Sequence, residues 1–328
     1  MKIVAFFNNK GGVGKTTLAY HLSWMYAEMG LSVVVADLDP QANLTAMFLD
    51  EDAVESLWPE VGESRTVLAP LQPFLEGVGP IVDPRLQDVG GIGLLAGDLA
   101  LSGVEDELSQ QWPYCLEGKA RAFRVIGSFH EILMRAAKIR AADIVLVDVG
   151  PNLGAINRAA LIAADHVAIP LAPDLFSLKG LQNLGPRLRD WRSGWVERLK
   201  KKPAGLEAPP GTMAPLGYVV MQHAVRLDRP VQAYARWMAR IPEVYQRFVV
   251  GEIDPQRGIT IDRDPHCLST LRHYRSLMPL AQEARKPMFA LTAADGAIGG
   301  HAKAVQECYN DFLLLALEMA GRAGVAVP

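Results

Sequence analysis

The chain has 328 residues, of which half are hydrophobic and 21% are charged, so it is long and apolar enough to form a packed core. Its three cysteines, Cys115, Cys267 and Cys308, show no CxxC spacing, which argues against a disulfide framework and against a zinc site. No apolar run approaches the roughly 20 residues of a membrane span, and the first residues lead into a predicted strand instead of a signal peptide. We therefore expect a cytoplasmic protein without membrane association.

The net charge of −3 is unevenly distributed along the chain. Residues 1–150 contain 11 Lys and Arg against 20 Asp and Glu, whereas residues 151–328 contain 22 against 16. A basic second half is compatible with a localised anion-binding face. Ordinary scatter of surface charge would give the same counts, so this observation alone does not establish one.

Residues 3–17 are predicted to form a strand, a glycine-rich turn and the start of a helix. The apolar run at 3–7 leads into FNNKGGVGKTT, and a helix-compatible run follows at 18–29. This order is the context of a phosphate-binding loop, in which glycines let the backbone N–H groups surround an anion. Lys15 would place its charge on the β- and γ-phosphates, and the Thr16 hydroxyl is the expected Mg²⁺ ligand. The predicted nucleotide-binding residues are Lys10, Gly11, Gly12, Val13, Gly14, Lys15, Thr16 and Thr17.

The loop departs from the standard G-x-x-x-x-G-K-[ST] pattern at its first position. Asn9 stands where the first glycine is expected, and Lys10 precedes the glycine pair. KGGVGKTT resembles the deviant Walker A box of the ParA/MinD family of ATPases, in particular its ParA, or Soj-like, branch. The resemblance implies that Lys10 reaches across a nucleotide-sandwich homodimer to the phosphates bound by the partner, which adds Lys10 to the predicted catalytic residues.

Two further predicted strands end in carboxylates. The run at 33–36 is followed by Asp37 and Asp39, which could share a Mg²⁺–water cluster and orient an attacking water. DLDPQAN resembles the DxDPQ box of the family, which implies that Asp39 manages the hydrolytic water and that Asp37 contacts the metal through water. The strand at 143–148 ends in Asp148 and fits a Walker B strand, whose aspartate holds Mg²⁺ indirectly. The Gly150-Pro151 pair after it is a variant of the family's Pro-Pro.

The remaining chain alternates predicted strands and helices. Strands are predicted at 92–96, 166–171 and 216–221, and helices at 99–110 with Asp98 as the cap, 120–140, 153–163 and 301–319. Gln222, after the last of these strands, is a candidate for the nucleotide base pocket. Residues 50–90 contain five prolines and are predicted to be irregular surface elaboration. The pattern predicts an α/β fold: one P-loop NTPase domain over 1–328, with a doubly wound, mainly parallel sheet flanked by helices and an irregular insertion around 50–90.

Basic residues in the second half allow two interpretations. Those at 187–202, interleaved with Trp191 and Trp195, could contact DNA phosphates, or they could form a solvated helix end whose tryptophans face the core. Arg229, Arg236 and Arg240 share one helix face by spacing. The candidate DNA-binding residues are Arg187, Arg189, Arg236 and Arg240.

The resemblance implies an ATPase that binds ATP and Mg²⁺, dimerises on ATP and hydrolyses it slowly. Its role would be partitioning of DNA or positioning of cargo on non-specific DNA at the nucleoid, with a ParB-like activator or cargo adaptor as partner. The main alternative is an ATP-binding regulatory or scaffold subunit that does not bind DNA. A MinD-like membrane-cycling ATPase would need a basic amphipathic C-terminal helix, and an iron–sulfur reductase would need cysteines near the nucleotide switches; the sequence shows neither.

Overall fold

A computed structural model describes residues 1–58, 64–221, 231–255, 258–274 and 276–328, apart from the side chains of 231–234. Gln222 and Arg229, singled out above, lie outside the described residues. Within the described part of the chain, eight strands form one sheet in the order β3-β4-β2-β5-β1-β6-β7-β8. The strands are β1 (Lys2–Phe6), β2 (Val33–Asp37), β3 (Gln87–Val89), β4 (Ile92–Leu95), β5 (Ile144–Asp148), β6 (His166–Leu171), β7 (Ala214–Met221) and β8 (Cys267–Leu271).

The sheet is parallel except where β3 pairs antiparallel with β4. Its central strands are buried on both faces, which is why β2 and β5 are continuous runs of apolar residues before their terminal aspartates. Successive side chains alternate between two cores: Ile3 and Ala5 join one, Val4 and Phe6 the other. This arrangement confirms the predicted doubly wound, mainly parallel sheet.

Helices cover both faces of the sheet. One core receives side chains from α1, α2, α12 and α13, and the other from α4 to α9 and α11. The helices are α1 (Lys15–Glu28), α2 (Asn43–Phe48), α3 (Glu51–Glu55), α4 (Gln72–Leu75), α5 (Glu105–Tyr114), α6 (Ala120–Ile126), α7 (Ser128–Arg140), α8 (Ala155–Ala163), α9 (Leu175–Leu199), α10 (Val231–Met238), α11 (Ile241–Tyr245), α12 (Met278–Ala284) and α13 (Gly300–Ala323).

The single helix predicted at 120–140 is two helices, α6 and α7, which meet at Gly127. A side chain at Gly127 would lie 3.0 Å from Pro209 Cδ and 3.0 Å from the Phe123 carbonyl oxygen. The loop that follows α9 therefore packs directly against the backbone at this junction. Helical periodicity continues across the break, so the sequence pattern did not reveal it.

Residues 64–90 do more than cover the surface. Val67, Leu71, Phe74 and Ile81 are buried in the core beneath α5 to α9. The prolines prevent long helices, and what forms instead is α4, followed by an extended run into the short edge strand β3. Strand β3 was not predicted, and neither was β8, because both are sheet-edge strands with mixed polar and apolar residues.

Candidate functional site

The phosphate-binding loop joins β1 to α1 as predicted. Gly12 and Gly14 adopt φ angles of 71° and 90°, a left-handed conformation that glycine tolerates without strain. Gly14 occupies the N-cap position of α1 without a side-chain cap, and Leu18 N donates to its carbonyl oxygen at 2.9 Å. The first N–H groups of the helix are therefore open to an anion, at the positive end of the helix dipole.

Lys15 is buried against this loop, with 6% of its surface exposed. Its Nζ lies 3.4 Å from the Lys10 carbonyl oxygen, so the side chain folds back over the turn. Burial lowers the pKa of Lys15, while the charges of Asp148 and Asp39 oppose the shift. The ammonium group is thus held beside carboxylates, in the position where a phosphate would gain most from it.

The register of the strands brings Asp37 and Asp148 together. Asp37 pairs with Asp148 between β2 and β5, and Asp148 pairs with Phe6 at the end of β1. The carboxyl ends of these strands therefore meet at the loop, and the Thr16 hydroxyl donates to Asp148 Oδ2 at 2.6 Å. Thr16 and Asp148, distant in sequence, form one contact, as the predicted Walker A and Walker B roles require.

Asp37 organises the turn that follows its strand. Its Oδ2 accepts hydrogen bonds from the backbone N–H and the hydroxyl of Thr45, both at 2.8 Å, and its Oδ1 accepts one from Asp39 N at 3.2 Å. Burial raises the pKa of Asp37 to about 6, despite these bonds. Asp39 accepts from Gln41 N at 3.0 Å and is 7% exposed, so its carboxylate is buried in the turn after β2.

The site has a shortage of positive charge. Burial, followed by repulsion from Asp37, raises the pKa of Asp148 to about 8. Asp148 Oδ1 is buried and has no hydrogen-bond partner among the described residues. A cation beside Thr16 and Asp148 would satisfy this oxygen and relieve the repulsion, so the residues present fit Mg²⁺. The described residues contain no group of three His, Cys, Asp or Glu side chains able to hold a metal.

Lys10 points away from the loop toward the start of α9. Its Nζ lies 2.6 Å from Asp174 Oδ2 and 5.9 Å from the centre of the Phe176 ring. Asp174 also caps α9, because its Oδ1 accepts from Ser177 N at 2.7 Å. Neither contact of Asp174 was predicted from the sequence.

A cavity of about 470 Å³ extends from the phosphate-binding loop toward the β8 edge of the sheet. At the loop end it is lined by residues 12–17. The far wall comes from α2, β7, β8 and the C-terminal helices, with Asn43, Met47, Met221, Leu271, Arg272, His273, Tyr274, Met278, Gln282, Met288 and Phe312. This wall was not predicted because no sequence motif marks it, and Gln222, the candidate for the base pocket, lies outside the described residues.

The four candidate DNA-binding arginines are not equivalent. Arg187 on α9, Arg236 on α10 and Arg240 are exposed. Arg189 is half-buried and donates to the Phe248 carbonyl oxygen. Neighbouring basic groups on α9 are also engaged internally, since Arg198 donates to the carbonyl oxygens of Trp112 and Gly194, each at 2.8 Å.

The two tryptophans at 187–202 face the core. Trp191 and Trp195 are 6% and 0% exposed, and Trp195 Nε1 donates to the Pro209 carbonyl oxygen at 2.9 Å. They are therefore not available to stack on bases.

None of the helices in the described ranges is both long and apolar enough to cross a membrane.

Comparison with known proteins identifies the family. A family model described as an AAA domain matches residues 1–200, more than half of the chain. The chromosome partitioning protein ParA of Caulobacter vibrioides is 32% identical over 204 residues, which cover 61% of this chain and 67% of that protein. The chromosome-partitioning ATPase Soj of Thermus thermophilus is 30% identical over 197 residues, covering 60% of this chain and 65% of Soj.

Solved structures extend the likeness beyond residue 200. A protein of Corynebacterium diphtheriae is 28% identical and superimposes with a TM-score of 0.68, covering 87% of this chain and 97% of that one. McdA of Cyanothece, solved with ATP, is only 16% identical but shares the fold over 99% of this chain and 97% of its own, with a TM-score of 0.63. The chain therefore belongs to this AAA-domain family and, within it, to the ParA-type P-loop ATPases.

Proposed function

We propose that this protein binds Mg-ATP, dimerises on it and hydrolyses it slowly, as the switch of a partitioning or cargo-positioning system. The observation that carries this proposal is a convergence of side chains at the carboxyl ends of the central strands, beside an open helix N-terminus. These side chains are Lys15, Thr16, Asp37, Asp39 and Asp148. That combination suits a triphosphate with a divalent cation.

Each group has a role that follows from its position. The loop N–H groups and Lys15 hold the β- and γ-phosphates, and Thr16 with Asp148 positions Mg²⁺. Asp37, fixed by Thr45, supports that ion through water. Bound Mg²⁺ neutralises phosphate charge and polarises the phosphoryl oxygens.

Asp39 lies in the turn after β2, and its charge acts on Lys15, so we place the attacking water beside it. It orients that water and accepts its proton as the oxygen bonds to the γ-phosphorus. The bond from that phosphorus to the bridging oxygen breaks, so the products are ADP and phosphate. This step is slow in the absence of a stimulating ParB-like partner.

Lys10 supplies the contact between subunits. Released from Asp174, its ammonium group reaches the triphosphate held by the second copy, and each copy does the same for the other. Phosphate charge on both sides favours this arrangement, so ATP drives dimerisation and hydrolysis reverses it. An isologous two-fold contact of this kind uses one surface twice.

Partition on non-specific DNA is supported by the relatives, two of which are described as chromosome-partitioning proteins. The exposed Arg187, Arg236 and Arg240 would neutralise backbone phosphates, with Arg189 as a further candidate. The protein would then be cytoplasmic and associated with the nucleoid in its ATP-bound form.

Light scattering coupled to chromatography tests the switch. With ATP and Mg²⁺, Asp39→Ala should remain a stable dimer, because ATP is bound but not hydrolysed, whereas the wild-type dimer decays as ATP is consumed. If Asp39→Ala stays monomeric at saturating ATP, the sandwich mechanism is wrong.

The alternative is a regulatory or scaffold subunit that binds ATP but not DNA. It is favoured by the internal hydrogen bonds of Arg189 and Arg198, which engage these two guanidinium groups within the chain. Salt-sensitive DNA retention distinguishes the two functions. Retention that is lost in Arg236→Ala/Arg240→Ala and kept in Lys138→Ala supports partition; no retention by the ATP-bound wild type supports the scaffold. Lys138 is a suitable control because it is exposed on α7, outside the candidate DNA-binding stretch.

A further inference from the structure

His21 lies in α1, one turn beyond the phosphate-binding loop, and is 2% exposed. Its Nδ1 is 2.8 Å from the Thr17 carbonyl oxygen, and Met288 N donates to its Nε2 at 3.1 Å. Because a backbone N–H can only donate, Nε2 must be the acceptor and Nδ1 must carry the proton. One ring therefore joins the loop helix to a segment 267 residues away in sequence.

Only the neutral ring can make both hydrogen bonds, because the protonated ring has no acceptor. Burial lowers the pKa of His21 to about 4, against the opposing effect of its bond to Thr17. At neutral pH the ring is therefore uncharged. The neutral His21 ring, with both hydrogen bonds formed, is therefore the normal state at this pH.

The segments that His21 joins are two walls of the nucleotide cavity. Thr17 lines the phosphate end, and Met288 and Phe312 line the far end. The His21 ring stacks on Phe312, with centroids 4.9 Å apart and planes at 21°, and meets Phe289 edge-on at 5.9 Å. Its contacts therefore fix the distance between the phosphate-binding turn and the wall that a nucleoside would touch.

We infer that His21 is a positioning residue that sets the nucleoside end of the cavity relative to the phosphate-binding loop. The inference rests on the proposed nucleotide binding and adds a determinant that belongs to neither Walker box. His21 does not touch the phosphate groups. Its loss therefore weakens the binding of ligands that carry a nucleoside and leaves the binding of phosphate-only ligands unchanged. This difference separates positioning from general stability.

The test compares ATP with inorganic tripolyphosphate, each with Mg²⁺, by calorimetry on the full chain. His21→Phe keeps an aromatic ring but loses both hydrogen bonds, and we expect ATP to bind about tenfold more weakly. Tripolyphosphate should bind within about twofold of wild type. His21→Gln retains one donor and one acceptor and should restore most of the ATP affinity. His21→Asn, too short to reach both partners, is a second loss variant in case His21→Phe does not fold.

Tyr26→Phe is the matched control. Tyr26 is also buried in α1 and donates to the Ala316 carbonyl oxygen at 3.0 Å, so it too joins α1 to the C-terminal region. Its partner Ala316 does not line the cavity, whereas Thr17 and Met288, the partners of His21, do. Tyr26→Phe should lower the melting temperature without changing the ratio of the two affinities. A ratio that is unchanged in His21→Phe or His21→Asn, or changed equally in Tyr26→Phe, overturns the inference. A wild-type protein that does not bind ATP refutes the proposed function instead.

Discussion

The Nζ of Lys10 and the Oδ2 of Asp174 are 2.6 Å apart, in an ion pair between the phosphate-binding loop and the first turn of α9. Each side chain is about one-third exposed, at 32% and 39%. The lysine proposed to act on a second copy is thus engaged within its own chain. The proposed dimerisation would exchange one partner of Lys10 for another, so this pair would contribute to the free energy of the proposed switch.

Removing the charge of Asp174 should favour the dimer. An ion pair whose side chains are each about one-third exposed stabilises the unpaired chain by up to about 1 kcal/mol. Asp174→Asn should therefore dimerise at up to about fivefold lower ATP concentration. Asparagine caps helices about as well as aspartate, so α9 should be preserved. Light scattering across an ATP titration measures the shift, with Asp190→Asn, exposed on the same helix, as control. A higher ATP requirement would show that Asp174 supports the dimer instead of competing with it.

Loss of Lys10 should separate binding from dimerisation. Lys10→Ala leaves Lys15 and the loop N–H groups in place, so ATP should bind within about threefold of wild type while the dimer is lost. Calorimetry and light scattering on the same sample check the two halves of this prediction. Lys179→Ala removes an exposed lysine on α9 and should change neither ATP binding nor dimerisation. An ATP-dependent dimer of Lys10→Ala would contradict the proposed contact in trans.

Gly14 should not tolerate a side chain. Its φ of 90° strains any other residue, and a Cβ would lie 2.8 Å from Met221 Cε. Gly14→Ala should destabilise the fold by about 1–2 kcal/mol, measured by urea unfolding, and weaken ATP binding. Gly11→Ala is the control, because a Cβ there would meet nothing within 4 Å and its φ is not left-handed. Equal losses of stability and ATP binding in Gly14→Ala and Gly11→Ala would show that the left-handed backbone of Gly14 is not their cause.

Stability should fall with acidification through His21. The pKa of His21 in the folded chain, about 4, lies below the ordinary histidine value of 6.5, so between these pH values the unfolded chain binds a proton that the folded chain does not. The stabilisation is complete above pH 6.5 and is lost as pH falls toward 4, by roughly 3 kcal/mol at most. Urea unfolding of wild type and His21→Gln at several pH values isolates this contribution. Parallel pH profiles for the two proteins would rule it out.

Strong local patterns made much of the fold and half of the site predictable. The apolar runs ending in Asp37 and Asp148 predicted buried parallel strands with carboxylates at their ends, and the register between β2 and β5 confirmed their proximity. The glycine-rich turn predicted the start of a helix, and the structure begins α1 after Gly14. Asp98 caps the helical turn after β4, as expected, by accepting from Ala100 N at 2.8 Å.

The sequence by itself determined the shape of the β1–α1 turn, because this turn is a contiguous motif whose geometry depends on local backbone preferences. Only the tertiary structure decided the rest: the Lys10–Asp174 pair, the His21 link to Met288 and the C-terminal wall of the cavity. These contacts join residues 164 or more positions apart. Such pairings depend on how the helices pack on the two faces of the sheet, and no local pattern encodes that packing.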